Sequence, residues 1–141
     1  MKKPVFVLLL LLTRCSFIDE HHFEICPEAR FYVDQFYSEA HTRGILIPKE
    51  NLIVKIEESG LLGITYHGVP SRVLLSASLF EKDSLFIEYV VFHEMGHAVL
   101  NREHCKAYSV MNPNRYVSEF RQNPSEHKKL IDELFSGLES K

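Results

Sequence analysis

The 141-residue sequence predicts an α+β domain with a short mixed sheet, a buried helix that carries ionisable residues, and a C-terminal helix. Three observations predict this class. An early segment repeats apolar residues at helical spacing, three short runs of strand character follow it, and a second, almost wholly apolar helical segment comes next. The length fits one domain, and the content of 45% hydrophobic and 25% charged residues is typical of a folded globular protein.

Residues 1–14 have the composition of a secretory signal peptide. Two lysines precede an unbroken apolar run of eight residues, which is too short to span a bilayer as a permanent helix. The sequence Leu-Thr-Arg-Cys that ends at Cys15 resembles a bacterial lipoprotein box, in which the Cys becomes the lipidated first residue. We therefore expect an exported protein, either a cell-envelope lipoprotein anchored through Cys15 or a secreted protein.

The next elements are a tether, a helix and three strands. Residues 15–26 are polar and mixed, and we predict a tether there, before a domain at 27–141. Pro27 suits the first turn of a helix, which Gly44 can end. Turns with glycine and proline then separate three predicted strands, at 52–57, 61–67 and 72–78.

Two further helices are predicted in the second half of the chain. One extends from a cap at Asp83 or Ser84 to Leu100 and is apolar on nearly every side, so it is mostly buried and its polar groups need partners. Asn-Pro-Ser-Glu at 123–126 has the pattern of a capping box, and the helix that follows carries apolar residues on one face.

The sequence His-Glu-Met-Gly-His at 93–97 lies within the buried helix. Because four residues make about one helical turn, His93 and His97 share a face and can reach one metal ion. Glu94 lies one step round the helix, where it can hydrogen-bond a water on the metal as a general base. The alternative is two hydrogen-bonded core histidines, but burying three neighbouring ionisable groups without a shared ligand is costly.

A catalytic zinc site needs three protein ligands and one open position. His104 is the nearest further candidate, seven residues after His97, and the helix must end before the chain can present it to the metal. Asn101 is suited to that turn because Asn tolerates the left-handed conformation. The alternative for His104 is an exposed loop histidine without a ligand role.

These motifs, followed by Ser-Val-Met-Asn-Pro at 109–113, resemble the metzincin clan of zinc metallopeptidases. In that clan a third His follows the first two, and the Met of a tight downstream turn lies beneath the zinc, which implies such a floor role for Met111. The usual spacing places the third His six residues after the second, with a Gly between them. The seven-residue spacing in this sequence resembles a group of small bacterial, often lipoprotein, metzincin-like proteins that end the motif with Gly-Arg-x-His, and Asn101 stands where that Gly is usual.

The resemblance implies a zinc-dependent endopeptidase. Zn²⁺ would be held by His93, His97 and His104, and Glu94 would be the base that activates water for hydrolysis of a peptide bond. The implied partner is a peptide or protein substrate.

The resemblance also implies roles for two strands and a tyrosine. Strand 61–67 resembles the edge strand above the cleft, against which an extended peptide binds, and strand 72–78 its inner neighbour. In some members a Tyr after the turn helps to bind the zinc or the oxyanion of the reaction. Tyr116 and Tyr108 are the candidates here, and a core or surface role is the alternative for each.

Two other functions stay open on the sequence. A gluzincin-like zinc hydrolase would take a carboxylate as its third ligand, for which Glu119, Glu126 and Glu133 are candidates. A lipid-anchored, non-catalytic binding module would keep a structural zinc or none, although a purely structural site has no use for the base Glu94.

Charge and cysteine content limit the partners. With 16 Lys and Arg against 19 Asp and Glu, the chain lacks the basic surplus of a nucleic-acid-binding protein, and we expect membrane contact only through a lipid anchor. If Cys15 is lipidated, Cys26 and Cys105 remain as a pair that a disulfide can join in an oxidising compartment. The alternative is two unpaired cysteines packed as small apolar residues.

Overall fold

The computed structural model describes residues 22–114 and 123–138, which form three α-helices and a four-stranded mixed sheet. The strands are β1 (Phe23–Ile25), β2 (Leu52–Ile56), β3 (Gly63–Tyr66) and β4 (Ser71–Leu75). The helices are α1 (Pro27–Thr42), α2 (Ser84–Ala98) and α3 (Pro124–Leu134), with a 3-10 helix at Ala77–Glu81 between β4 and α2. The α+β class and the short mixed sheet are confirmed. The predicted signal peptide at 1–14 and the lipidation site Cys15 lie outside the described residues.

Helix α1 begins and ends where the sequence predicts. Pro27 occupies its first position, where a missing N–H costs nothing. At the other end Gly44 adopts φ +73°, and its N–H donates to the His41 carbonyl at 2.9 Å. A left-handed residue at this position is favourable for glycine because no Cβ meets the backbone.

The sheet has the strand order β1-β2-β4-β3. Strands β1, β2 and β4 run parallel, and β3 is antiparallel to β4, with Thr65 opposite Val73. The two inner strands carry the fully buried side chains of the sheet: Leu52, Val54, Val73 and Leu75. This order leaves β3 at one edge, beside α2, so one side of β3 is free of a strand partner in the described sheet.

Strand β1 corrects the last part of the predicted tether, while residues 15–21 lie outside the described residues. Phe23–Ile25 pair in parallel with β2, and Ile25 is buried in the core. Three residues are too few for an alternating pattern to be recognised, and the strand depends on hydrogen bonds to a segment nearly thirty residues later. The folded domain therefore begins before Pro27.

The core lies between the sheet and the helices. Phe36 of α1 packs edge-on against Phe92 of α2, with ring centroids 5.3 Å apart, and against Phe135 after α3, at 5.0 Å. These contacts place α2 between α1 and the sheet, in agreement with its predicted burial. Within 22–114 and 123–138, no helix combines the length and apolar character that crossing a membrane requires.

Smaller differences concern the ends of elements. The predicted strand 72–78 is shorter, because the chain turns at Ser76, whose side chain caps the 3-10 helix by accepting the Ser78 N–H. Helix α2 starts from the predicted cap, with Asp83 accepting the Phe86 N–H at 3.1 Å, and ends at Ala98, two residues before Leu100.

Candidate metal centre

The end of α2 brings three histidines together. His93 and His97 lie one turn apart on α2, and the chain leaves the helix through Asn101, which adopts φ +52° as its type allows. The Arg102 N–H then donates to the Gly96 carbonyl at 2.9 Å, so the chain folds back along the helix it has just left. This reversal presents His104 to the two helical histidines.

The three side chains point their Nε2 atoms at one another. The His93 Nε2 lies 3.0 Å from that of His104 and 3.2 Å from that of His97. All three ligand atoms fall within 4.8 Å of one another, which is compatible with a shared metal ion. Of the two readings of His104, the structure therefore favours the one in which it joins the pair.

Hydrogen bonds of the Nδ1 atoms determine the tautomer of both helical histidines. The His93 Nδ1 is 2.7 Å from the Val110 carbonyl, and the His97 Nδ1 is 2.6 Å from the Arg102 carbonyl. A carbonyl can only accept, so each Nδ1 carries the proton and donates it, which leaves the Nε2 lone pair for a metal. Burial lowers the pKa of His93 to about 4, which favours the neutral form that a metal requires. The donor set therefore fits a metal ion.

A cleft of about 740 Å³ opens over the three histidines. Strand β3 and the residues before it form one wall, and α2 forms the other. Burial falls from His93, which is 9% exposed, through His97 to the exposed His104, so the group faces the cleft on one side. His67 lies at the end of the β3 wall, with its ring centroid 6.5 Å from that of His97. Apolar side chains cover most of the rest: Leu61, Leu62, Ile64, Tyr89, Val90 and Pro113.

Met111 packs against α2 and is not among the residues that line the cleft. The segment turns tightly, with the Asn112 N–H donating to the Ser109 carbonyl at 3.2 Å, and Met111 is fully buried. Its Sδ packs so closely on Gly96 that a Cβ on that glycine would be 2.5 Å away. The side chain therefore touches the helical turn between His93 and His97.

Glu94 is a buried carboxylate held from the sheet side. It is 7% exposed, and its Oε2 accepts from the Thr65 hydroxyl at 2.7 Å. Burial raises the pKa of Glu94, and the Thr65 hydrogen bond partly opposes that rise. The carboxylate lines the same cleft as the three histidines.

Several residues that contact this site are not among the predicted site residues. The Tyr89 ring stacks on that of His93 at 6.4 Å, and its hydroxyl donates to the Asn112 carbonyl at 3.1 Å, joining α2 to the Met111 turn. The position of Tyr89, four residues before His93, was the available signal, because such residues meet on one helix face. Gly63 and Thr65 carried no such signal, since their contacts with Glu94 depend on how β3 packs against α2.

Other predicted site residues lie elsewhere. The Tyr108 hydroxyl donates to the Glu126 carboxylate at 2.9 Å, and the Glu133 carboxylate accepts from Arg102 and Ser109. Neither acid belongs to the histidine group. Glu119 and Tyr116 lie outside the described residues.

The cysteine alternatives are resolved in favour of unpaired residues. Cys26 and Cys105 are both free and half-buried, and burial raises the pKa of the Cys26 thiol. Neither thiol belongs to the histidine group.

Comparison with known proteins gives no match: no family model, no curated protein and no solved structure matches the chain.

Proposed function

We propose that the protein is a metzincin-like, zinc-dependent endopeptidase. The observation that carries the proposal is the convergence of three imidazole Nε2 atoms beside a buried carboxylate, at the floor of a cleft bounded by a sheet edge. Three imidazoles and an open side form the ligand set of catalytic zinc. Imidazole is also a donor that zinc shares with other transition metals, so zinc itself is part of the proposal.

His93, His97 and His104 would hold the ion, and a bound zinc ion supplies a Lewis acid that polarises a peptide carbonyl and makes water more acidic. Glu94 accepts a proton from the attacking water and returns it to the departing amine. The carbonyls of Val110 and Arg102 keep the helical histidines in the tautomer that ligation needs. Met111 packs on Gly96, in the helical turn between His93 and His97, and would support the position of these two histidines.

Strand β3 would bind the substrate. Its free edge lies along the cleft, and an extended peptide can add to such an edge through main-chain hydrogen bonds. Main-chain binding places a peptide bond across the three histidines with little dependence on side chains. The proposed localisation, export with or without a lipid on Cys15, rests on the pattern of residues 1–15.

Two alternatives have less support. A carboxylate third ligand is not needed where His104 already completes a group of three, and Glu126 and Glu133 bind other partners. A non-catalytic binding module does not account for a carboxylate that is buried at cost and faces the cleft.

The test combines metal analysis with peptide hydrolysis on the mature domain. We expect about one zinc per chain in the wild type, close to none in His104→Ala, and retained zinc in His67→Ala, because His67 lines the cleft outside the histidine group. Glu94→Gln should keep its zinc and lose about 10²- to 10⁴-fold in hydrolysis of a generic protein substrate, because the base is gone. Glu81→Gln, an exposed acid outside the cleft, is the control.

Each result that differs from these expectations would support a different conclusion. A wild-type protein without zinc after expression with metal supplied would favour the binding module. Full zinc affinity in His104→Ala would favour a carboxylate third ligand. Normal hydrolysis by Glu94→Gln would remove Glu94 from the mechanism.

A further inference from the structure

Strand β3 contacts Glu94 through two residues that face the same way. Gly63 and Thr65 are two positions apart, and alternate residues of a strand point to one face of the sheet. Both lie against the Glu94 side chain. One edge of β3 is hydrogen-bonded to β4, and the other edge has no strand partner in the described sheet. The strand that borders the cleft is therefore also the surface against which the carboxylate rests.

Gly63 provides the space for the carboxylate. A Cβ at this position would lie 2.8 Å from the Glu94 Cγ and 2.9 Å from its Oε1, closer than real Cβ atoms approach other atoms. Gly63 is not among the glycines with positive φ, so the backbone conformation itself does not require glycine. The glycine is thus explained by the close approach of Glu94.

Thr65 fixes one oxygen of the carboxylate. Its Oγ1 lies 2.7 Å from the Glu94 Oε2 and 3.1 Å from the Glu94 main-chain carbonyl. Both neighbours are acceptors, so the single hydroxyl proton always has a Glu94 oxygen to bind. The bond restrains Oε2 and leaves Oε1 for a different hydrogen bond.

We propose that Gly63 and Thr65 are positioning residues that hold Glu94 in the orientation required of a general base, with Oε1 as the oxygen that accepts the proton of water. The proposal rests on the proposed peptidase function. It also means that the strand to which a peptide would add is the strand that holds the base, so substrate binding and base position share one element.

The first test uses Thr65→Val, which removes the hydroxyl and keeps the shape. We expect kcat to fall about 10- to 100-fold with little change in KM and full zinc content, because a misplaced base slows chemistry without weakening substrate binding. Thr65→Ser restores the hydroxyl and should restore most of kcat. Thr42→Val is the matched control, because it removes a hydroxyl that donates to the Ser38 carbonyl at the far end of α1.

The second test fills the space at Gly63. Gly63→Ala should also reduce kcat at full zinc content, because the new methyl group displaces the carboxylate. Gly68→Ala is its control, since a Cβ there meets only the Pro70 carbonyl, at 3.3 Å.

The third test requires no activity. In the metal-free protein, a double-mutant cycle of Thr65→Val and Glu94→Ala should give non-additive changes in the free energy of unfolding, because both variants remove the same contact. Additive changes, or wild-type kcat in both Thr65→Val and Gly63→Ala, would overturn the positioning role.

The outcomes separate the two proposals. If Glu94→Gln is inactive while Thr65→Val and Gly63→Ala are both fully active, only the positioning role fails. If Glu94→Gln is fully active, the proposed mechanism fails whatever Thr65→Val does. A protein without hydrolytic activity still reports through the cycle in the metal-free protein, where coupling supports the contact and additivity rejects it.

Discussion

Gly96 lies within α2, between His93 and His97, where glycine is an unfavourable residue for a helix. Glycine in a helix interior costs about 1 kcal/mol relative to alanine, so propensity alone predicts that Gly96→Ala stabilises the protein. Packing predicts the opposite, because a Cβ at Gly96 would lie 2.5 Å from the Met111 Sδ and 3.2 Å from the Leu134 Cδ1. Both neighbours are fully buried, so neither can move aside without disturbing the core.

We expect Gly96→Ala to lower the free energy of unfolding by about 1–3 kcal/mol, the usual cost of overpacking, despite its better helix propensity. Urea denaturation of the metal-free protein measures this. The second substitution Met111→Ala removes the clashing sulfur, so Gly96→Ala should be less harmful, or even stabilising, in that background. A stabilised Gly96→Ala in the wild-type background would show that Met111 does not pack as the structure places it.

The histidine group was easier to predict from the sequence than the residues that contact it. His93, Glu94 and His97 follow from the helical repeat, because their relation is local. The turn to His104 follows from one local property, the tolerance of Asn101 for positive φ, which the structure confirms. Thr65 and Glu94 are 29 residues apart in the sequence, and no sequence pattern within β3 indicates that they are in contact.

At the scale of elements, α2 is covered on several sides, which explains its lack of a polar face. It packs against α1, β3 and β4, and its residues also contact the Met111 turn. Besides Glu94, α2 carries one other buried acid, Glu88. Its carboxylate accepts from the His127 Nε2 of α3 at 3.0 Å. This ion pair joins α2 to the C-terminal helix. The sequence predicts both helices, but their contact depends on packing between distant segments.

The ion pair gives the protein a pH-dependent stability. The hydrogen bond to Glu88 raises the pKa of His127 above its ordinary value near 6.5. A histidine whose pKa is higher in the folded state contributes its stability fully below the unfolded pKa and loses it as pH rises through the folded pKa. We therefore expect this pair to contribute stability on the order of 1 kcal/mol below about pH 6.5, and to lose it as pH rises through the folded pKa of His127, which lies above that value.

Chemical denaturation of the metal-free protein between pH 5 and 8 (a range chosen around the ordinary histidine pKa) measures the effect. His127→Gln should be less stable than the wild type at the acidic end, and the difference should shrink as pH rises. His41→Gln, at the exposed end of α1, should give a smaller and flatter difference. A His127→Gln difference that grows with pH would contradict the assigned direction.

At the scale of the whole molecule, hydrogen bonds connect the C-terminal helix to the segment that follows α2 and carries His104. The Glu133 carboxylate of α3 accepts from Arg102 through one oxygen and from the buried Ser109 through the other. The Arg102 carbonyl orients His97, and the Ser109 hydroxyl accepts the Met111 N–H at 3.0 Å. One carboxylate therefore connects the two loop segments that support the histidines.

This arrangement gives Glu133 a role other than the ligand role considered from the sequence. We expect Glu133→Ala to weaken zinc binding about 10- to 100-fold, the range found when a partner outside the ligand set is lost, although Glu133 is not part of the histidine group. Competition with a chromophoric chelator measures the affinity. Asp132→Ala is the control, because this neighbour on α3 pairs with Arg43 and Lys128 instead of the loop.

The size of the loss distinguishes the possible roles of Glu133. A ligand would be as important as His104, so Glu133→Ala and His104→Ala would then lose zinc equally. If Glu133 acts only through Arg102 and Ser109, Glu133→Ala should lose less zinc affinity than His104→Ala. Glu133→Gln keeps one carbonyl oxygen as an acceptor, so its zinc affinity should lie between those of the wild type and Glu133→Ala. Equal affinity in Glu133→Ala and Asp132→Ala would mean that the loop holds its conformation without α3. A zinc affinity of Glu133→Ala that lies between those of the wild type and His104→Ala would show that the C-terminal helix supports the zinc site without contributing a ligand to it.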